Sequence, residues 1–465
     1  MDPDRLLTEA WAGLVRDDPQ VDRPPAIGIA GERGHLLSRL AAEDAATACV
    51  ALALMAAGNL HPLGNGSAPS LSVDRAHVAA AVRSERFFRR GDSPAGAGFA
   101  PLSRFWPTSD GWVRTHANYP WHRAALLSVA GTGPDIEAVG EALAGMKSED
   151  VEETVFAAGG VAAAVRTEAA WSAHPQGRAV AAEPLISHRV VGEARPRVRH
   201  PARPHLPAAG VRVLDMTRVI AGPVCTRFLA ALGADVLRLD PPARPDLGRG
   251  QPSDTLLGKR SAIVDFGSAQ GTRALADLLA GADVVVCGYR PGALDRFGLT
   301  EEELTDRCPG TVQLYLSAWG HTGPWAGRRG FDSIVQATTG IALMESPADA
   351  APGALPCQLL DHGTGYLGAA AVLDGLRRQG RHGGTHIRRV SLARTARWLT
   401  DIPRPSARES PPAGPDEEDP SPWLVELAGP GGPVQVVKPP GRLSEQAIEW
   451  PARVTGYGDD RPAWP

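Results

Sequence analysis

The chain has 465 residues, enough for two or three domains with sizeable cores. Its formal net charge of −4 excludes a sequence-wide basic field for nucleic acid, and the many arginines beside three lysines read as compositional bias. Apolar residues at 43 % and charged ones at 22 % fit a soluble globular protein, which sets aside membrane-spanning and fibrous classes.

Near the N-terminus, MDPDRLLTEAW is acidic and lacks the basic start and apolar core of a signal peptide. The most apolar run, Ala45–Gly58, is too short to cross a bilayer and suits a buried helix. Cys49, Cys225, Cys287, Cys308 and Cys357 are scattered, with no CxxC pair and no histidine cluster beside them. That argues against a disulfide framework or a zinc site and for a reduced, cytoplasmic protein. SLSVDRAHVAAAV follows, and then FWPTSDGWVRTHANYPWHRAALL, where the SDG turn between two short runs predicts a hairpin. VEETVFAAGGVAAAV predicts a helical stretch. Residues 191–209 are rich in proline and arginine with little periodicity, which is the pattern of a linker.

From 210 to 400 the pattern alternates. Strands are expected at Val211–Leu214, Val236–Leu239, Ala262–Val264, Val284–Val286 and Val312–Leu316, with helices between several of them. The first helix takes Pro223 in its first turn and stops at Gly233. This is the signature of an α/β, doubly wound (Rossmann-like), mostly parallel sheet, joined here to a smaller α+β domain. Ligands of such sheets bind beyond the carboxyl ends of the strands. Residues 401–422 are Pro-rich and acidic and read as disordered, and 423–465 form a short ordered tail. Neither GxGxxG nor a Walker pattern appears, which disfavours nicotinamide and ATP enzymes.

Taken in order, VRVLDMTRVIAGPVCTRFLAALGADVLRLD, LLGKRSAIVDF, VCGYRPGALDRFGL, LSAWGHTGPW and PCQLLDHGTGYLGAAAVL resemble the class III CoA-transferase family (CaiB/BaiF type). That family includes formyl-CoA transferases and α-methylacyl-CoA racemases. The resemblance implies a catalytic CoA-binding domain at 210–400. It also implies that 1–190, through residues 72–175, corresponds to the small domain that usually follows the catalytic half, so the parts stand in permuted order. Asp361, in LLDHGTGY just before a helix expected near Tyr366, matches the family's nucleophile. It would attack an acyl-CoA thioester to form an aspartyl mixed anhydride. An aspartate before a helix is, taken alone, more often a cap. The family pattern also assigns CoA contacts to Val219, Ile220 and Ala221, to Lys259 and Arg260, to Arg290 and Arg296, and to Arg329. Each arginine taken alone would be a solvated surface charge.

The sequence departs from the pattern in several places. Leu360 replaces the glycine before the aspartate. Pro241 and Pro242 stand where a cation follows the second strand. The glycine loop is reduced to RRGDSPAGAGFAP with Gly96 and Gly98. Phe331 stands where racemases carry a histidine, which argues against α-proton chemistry there. Trp106, Trp112 and Trp121 are candidates for an acyl pocket, with core filling as the ordinary alternative. The implied partners are an acyl-CoA and a small carboxylic acid as substrates, with no resident cofactor, no metal, no nucleic acid and no membrane. A homodimer, interlocked in the family, is expected. The alternatives are an acyl-CoA racemase or isomerase using Asp361 with His362, and a non-catalytic acyl-CoA-binding subunit.

Overall fold

A computed structural model of the chain describes residues 3–16, 18, 24–60, 69–91, 98–197, 206–347, 351–404, 419–444, 446–452 and 454–465. Gly96 and residues 405–418 of the acidic segment lie outside the described residues, as do 198–205.

The valine- and leucine-rich runs form one seven-stranded sheet. Six of its strands are parallel: Arg212–Met216, Asp235–Asp240, Lys259–Ile263, Val284–Cys287, Val312–Ser317 and Thr385–Ser391. Numbered in chain order, they lie in the spatial order 3-2-1-4-5-6, the doubly wound arrangement. All four residues of Val284–Cys287 are buried, as a strand covered on both faces demands. The outer edge is Ser187–Val191, antiparallel to the sixth strand. The 1–190 segment therefore contributes a strand to the large sheet itself.

The same segment supplies the helix Ala42–Leu60, buried along nearly its whole length and packed against the helix Leu359–His382. The expected hairpin is present as Phe105–Thr108 paired with Gly111–Thr115, and Ala162–Ala164 completes a three-stranded antiparallel sheet. VEETVFAAGGVAAAV is thus not one helix. The helix Ser148–Ala157 ends before the glycine pair, and the chain continues as that third strand. Trp106, Val113, Leu126, Val139, Leu143 and Val155 fill a separate core beneath this α+β unit. The C-terminal tail packs back on distant parts. Arg442–Leu443 pairs with Leu71–Asp74, and the Asp460 carboxylate accepts from Ser261 N at 2.9 Å.

The longest helix is Leu359–His382, 24 residues. It begins seven residues earlier than the position expected from sequence and runs on through Gly363 and Gly365. A Cβ on Gly365 would lie 2.6 Å from Ala221 O and 2.9 Å from Val224 Cβ, so only glycine lets this helix sit against Ala221–Ala231. Glycine costs a helix interior about 0.5–1 kcal/mol relative to alanine, a cost that tertiary packing offsets.

Candidate active site

A cavity of about 670 Å³ opens beyond the carboxyl ends of the parallel strands. Its wall takes residues that follow the first strand (Arg218, Val219, Ala221), the second (Pro241, Ala243, Arg244), the fourth (Gly288 to Ala293) and the fifth (Ser317, Ala318). This is the point where the strand order reverses, the place such sheets bind ligands. The α+β unit closes the other side with Tyr119, Trp121 and His122.

Asp361 lies in the cavity wall with 6 % of its surface exposed. It is the third residue of its helix and not a cap. Gln358 is the capping position, and the helix N-terminus is served by Asp332, whose Oδ2 accepts from Asp361 N at 3.0 Å. With that role filled, the Asp361 side chain is left facing the cavity. Among the described residues its carboxylate takes no hydrogen bond and no ion pair. Burial, then the Asp332 carboxylate and Glu85, push its carboxyl well above the usual carboxylate range. Asp332 is itself raised to about 6 by burial, against the hydrogen bonds it receives from Asp361 N and Gln336. A carboxyl this poorly solvated keeps its proton to higher pH than an exposed one.

His362 turns away from the cavity. It is fully buried, and its Nε2 lies 3.0 Å from Glu85 Oε2.

Six arginines line the cavity: Arg218, Arg244, Arg290, Arg296, Arg328 and Arg329. Arg218 is committed to Arg244 O at 2.7 Å and lies beside Asp246, and Arg328 grips Glu153 with two contacts of 2.7 Å. The other four have no carboxylate partner among the described residues. Burial, then Arg290 and Arg244, lower the Arg329 pKa below the usual guanidinium range. Cations that repel one another around an open cavity create a field that attracts a polyanion.

The structure brings together Asp361, Val219, Ala221, Arg290, Arg296 and Arg329, and leaves out the remaining three candidates. Ile220 packs against the main core. Lys259 is buried beneath the sheet's end, its Nζ 2.9 Å from Asp215 Oδ2 and 3.0 Å from Pro223 O. It anchors the start of the helix Ala221–Ala231 and reaches no ligand. Desolvation lowers its pKa to about 8 against the pull of Asp215. Arg260 is held by Asp235 at 2.8 Å and by Ala463 O at 2.7 Å, on the sheet edge away from the cavity. Lys259 and Arg260 are thus both engaged by carboxylates and carbonyls of the chain itself.

The cation expected after the second strand is not lost. Arg244, just past Pro241 and Pro242, lines the cavity with its guanidinium 5.5 Å from the Trp121 ring. Of the three tryptophans, Trp121 lines the cavity, while Trp106 is a core residue that donates to Thr115 Oγ1 at 2.8 Å. Sequence reasoning missed Arg218, Tyr119 and His122. Arg218 had a usable signal, its position directly after the first strand. Val219 beside it has φ 64°, a left-handed conformation that is strained for a β-branched residue.

The fold and the cavity define a doubly wound α/β protein with a cationic ligand cleft and a buried carboxylate in its wall. Comparison with known proteins sharpens this class: residues 208–418 match the model of CoA-transferase family III. The chain is 36 % identical over 192 residues to the succinyl-CoA–L-malate CoA-transferase beta subunit of Chloroflexus aurantiacus, covering 38 % of this chain and 47 % of that protein. It is 35 % identical over 205 residues to the acetyl-coenzyme A transferase nodX of Hypoxylon pulicicidum, covering 43 % of this chain and 34 % of that protein. The solved structure of Rv3272 from Mycobacterium tuberculosis aligns at 31 % identity and a TM-score of 0.38, over 42 % of this chain and 55 % of that one. The chain spans from about a third to about half the length of these curated relatives. No helix among the described residues is long and apolar enough to cross a membrane.

Proposed function

We propose that this protein is a CoA-transferase that moves CoA from an acyl-CoA to a carboxylic acid, with Asp361 as nucleophile and acyl carrier. One observation carries the reading: a buried carboxylate with no cation partner among the described residues faces a cavity lined by four arginines that have no carboxylate partner there either. An acyl-CoA brings to such a cavity a polyanion for the arginines and an electrophilic thioester for the carboxylate.

In this reading an Asp361 oxygen attacks the thioester carbon, the C–S bond breaks, and CoA leaves as the thiolate. The thiolate then attacks the aspartyl carbonyl of the mixed anhydride and expels the donor carboxylate, which leaves an aspartyl-CoA thioester. The acceptor carboxylate attacks that thioester and forms a second anhydride. Thiolate attack on its acyl carbon releases the new acyl-CoA and restores Asp361. Every step exchanges one leaving group for one nucleophile, so no redox partner or metal is called for. The racemase alternative loses the residue suggested for it, since His362 is bound to Glu85 away from the cavity.

The test is calorimetric titration with CoA together with chromatography of the products formed from acetyl-, succinyl- or formyl-CoA and a panel of carboxylic acids. CoA binding and a new acyl-CoA that appears only with an acceptor support transfer. α-Proton exchange without an acceptor would support the racemase instead, and CoA binding without any turnover a binding subunit.

A further inference from the structure

Among the described residues His122 is the one imidazole in the wall that holds Asp361, and it reaches that wall from the other region of the chain. It sits in the first turn of the helix Pro120–Ala130, which follows the hairpin. It is 5 % exposed, and its ring meets that of Phe331 edge-on with 5.8 Å between centroids. Phe331 is itself stacked on His116 at 3.7 Å and 2°, and the His116 ring lies 6.2 Å from that of His122. The imidazole is thus held by packing, with no side-chain hydrogen bond to any described residue.

Its two nitrogens differ. Nδ1 is buried without a partner among the described residues, whereas Nε2 is not among the enclosed, unpartnered atoms, and the residue lines the cavity. A buried N–H without an acceptor is rarer in proteins than a buried acceptor without a donor. The tautomer that suits this setting leaves Nδ1 bare and puts the proton on Nε2.

We infer that His122 donates this Nε2–H to the acyl oxygen of the substrate while Asp361 attacks the thioester carbon. The inference rests on the CoA-transfer reading above and adds an oxyanion-stabilising residue to it. As the Asp361 oxygen bonds to the acyl carbon, the carbonyl π pair moves onto the acyl oxygen and the Nε2–H holds that charge. On collapse the pair returns, the C–S bond breaks, and the thiolate leaves with its electrons. The proton stays on His122 throughout. Burial, then Arg329, Arg244 and Arg218, lower the imidazole pKa to about 4, so it acts as a neutral donor across the working pH range. The same arginines favour the negative charge that develops there.

The experiment compares wild type, His122→Phe and His122→Gln with acetyl-, succinyl- and formyl-CoA. It reads single-turnover formation of the Asp361 adduct by mass spectrometry and CoA affinity by calorimetry. His122→Phe is expected to slow adduct formation on the order of 10²–10³-fold, the effect of removing one oxyanion donor, with CoA affinity held. His122→Gln, whose amide can still donate, is expected to recover about tenfold or more of that loss. Adduct formation by His122→Phe at the wild-type rate overturns the inference, as does His122→Gln no faster than His122→Phe. A wild type that binds no CoA, or forms no adduct with any of the three donors, overturns the CoA-transfer reading and this inference with it.

Discussion

Two aspartates on one helix, Asp361 and Asp374, are both buried, at 6 % and 2 % exposure, yet their surroundings are opposite. Asp374 sits among three arginines. It accepts from Arg377 and Arg378 at 2.8 Å each and from Arg388. Burial would raise its carboxyl, but those guanidiniums outweigh it and hold the group below the ordinary range. Asp361 has two carboxylates as neighbours and no cation bound to it, and it is held above that range. Burial alone therefore does not separate a structural carboxylate from a reactive one. Charge compensation does, because a buried ion persists only if neighbouring groups stabilise it or if it can give up its charge. Asp361 is buried at a net cost that the fold tolerates, as expected where function and not stability sets the residue.

The largest effect expected is on Asp361 itself. Asp361→Asn should lower transfer on the order of 10⁴–10⁶-fold, the scale of removing a covalent nucleophile, with CoA binding retained by calorimetry. Asp374→Asn should do the reverse. It should cost about 3–5 kcal/mol in denaturant unfolding, because buried Arg388 loses its carboxylate partner and Arg377 and Arg378 are left with the Asp18 carboxylate, while any protein that stays folded still binds CoA. Arg329→Ala should weaken CoA by the worth of a charge-assisted contact, about 1.5–3 kcal/mol, with an affinity less sensitive to salt than the wild type's.

The pH dependence sharpens the contrast further. A raised folded pKa at Asp361 means that its contribution to stability is full below the unfolded carboxylate value and falls as pH rises through the folded one. The lowered pKa of Asp374 gives a contribution present above the unfolded value and lost on acidification. Thermal unfolding from pH 4 to 9 should therefore show Asp361→Asn gaining on wild type as pH rises, and Asp374→Asn losing most at neutral pH and least in acid. The smallest effect expected is at Val219. Val219→Gly should raise stability by about 1 kcal/mol in the same assay by removing left-handed strain.

The two regions were not equally legible in the sequence. Five of the six parallel strands were expected within a few residues of where they lie, whereas the sixth, THIRRVS, carries two arginines and a histidine and gives no apolar run to read. The helix that carries Asp361 begins seven residues before the position expected near Tyr366, and Gly365 within it is where Ala221 and Val224 of the neighbouring helix approach, a contact that is not local in sequence. Lys259 and Arg260 stand in a motif, and a motif says nothing about which side of a strand end a long side chain takes. Asp215 and Asp235 decide that, and neither is local to them. His122 could not be found from sequence, since its link to Asp361 spans more than two hundred residues and exists only once the α+β unit folds against the sheet.

The most direct test of the central claim is peptide mapping by mass spectrometry after wild type and Asp361→Asn are incubated with acyl-CoA and quenched with hydroxylamine. An uncompensated, cavity-facing carboxylate that carries the acyl group or CoA should yield a hydroxamate on the Asp361 peptide of the wild type alone. A wild type that turns over acyl-CoA but carries no modification at Asp361, or an Asp361→Asn variant that turns over as fast, would contradict the account.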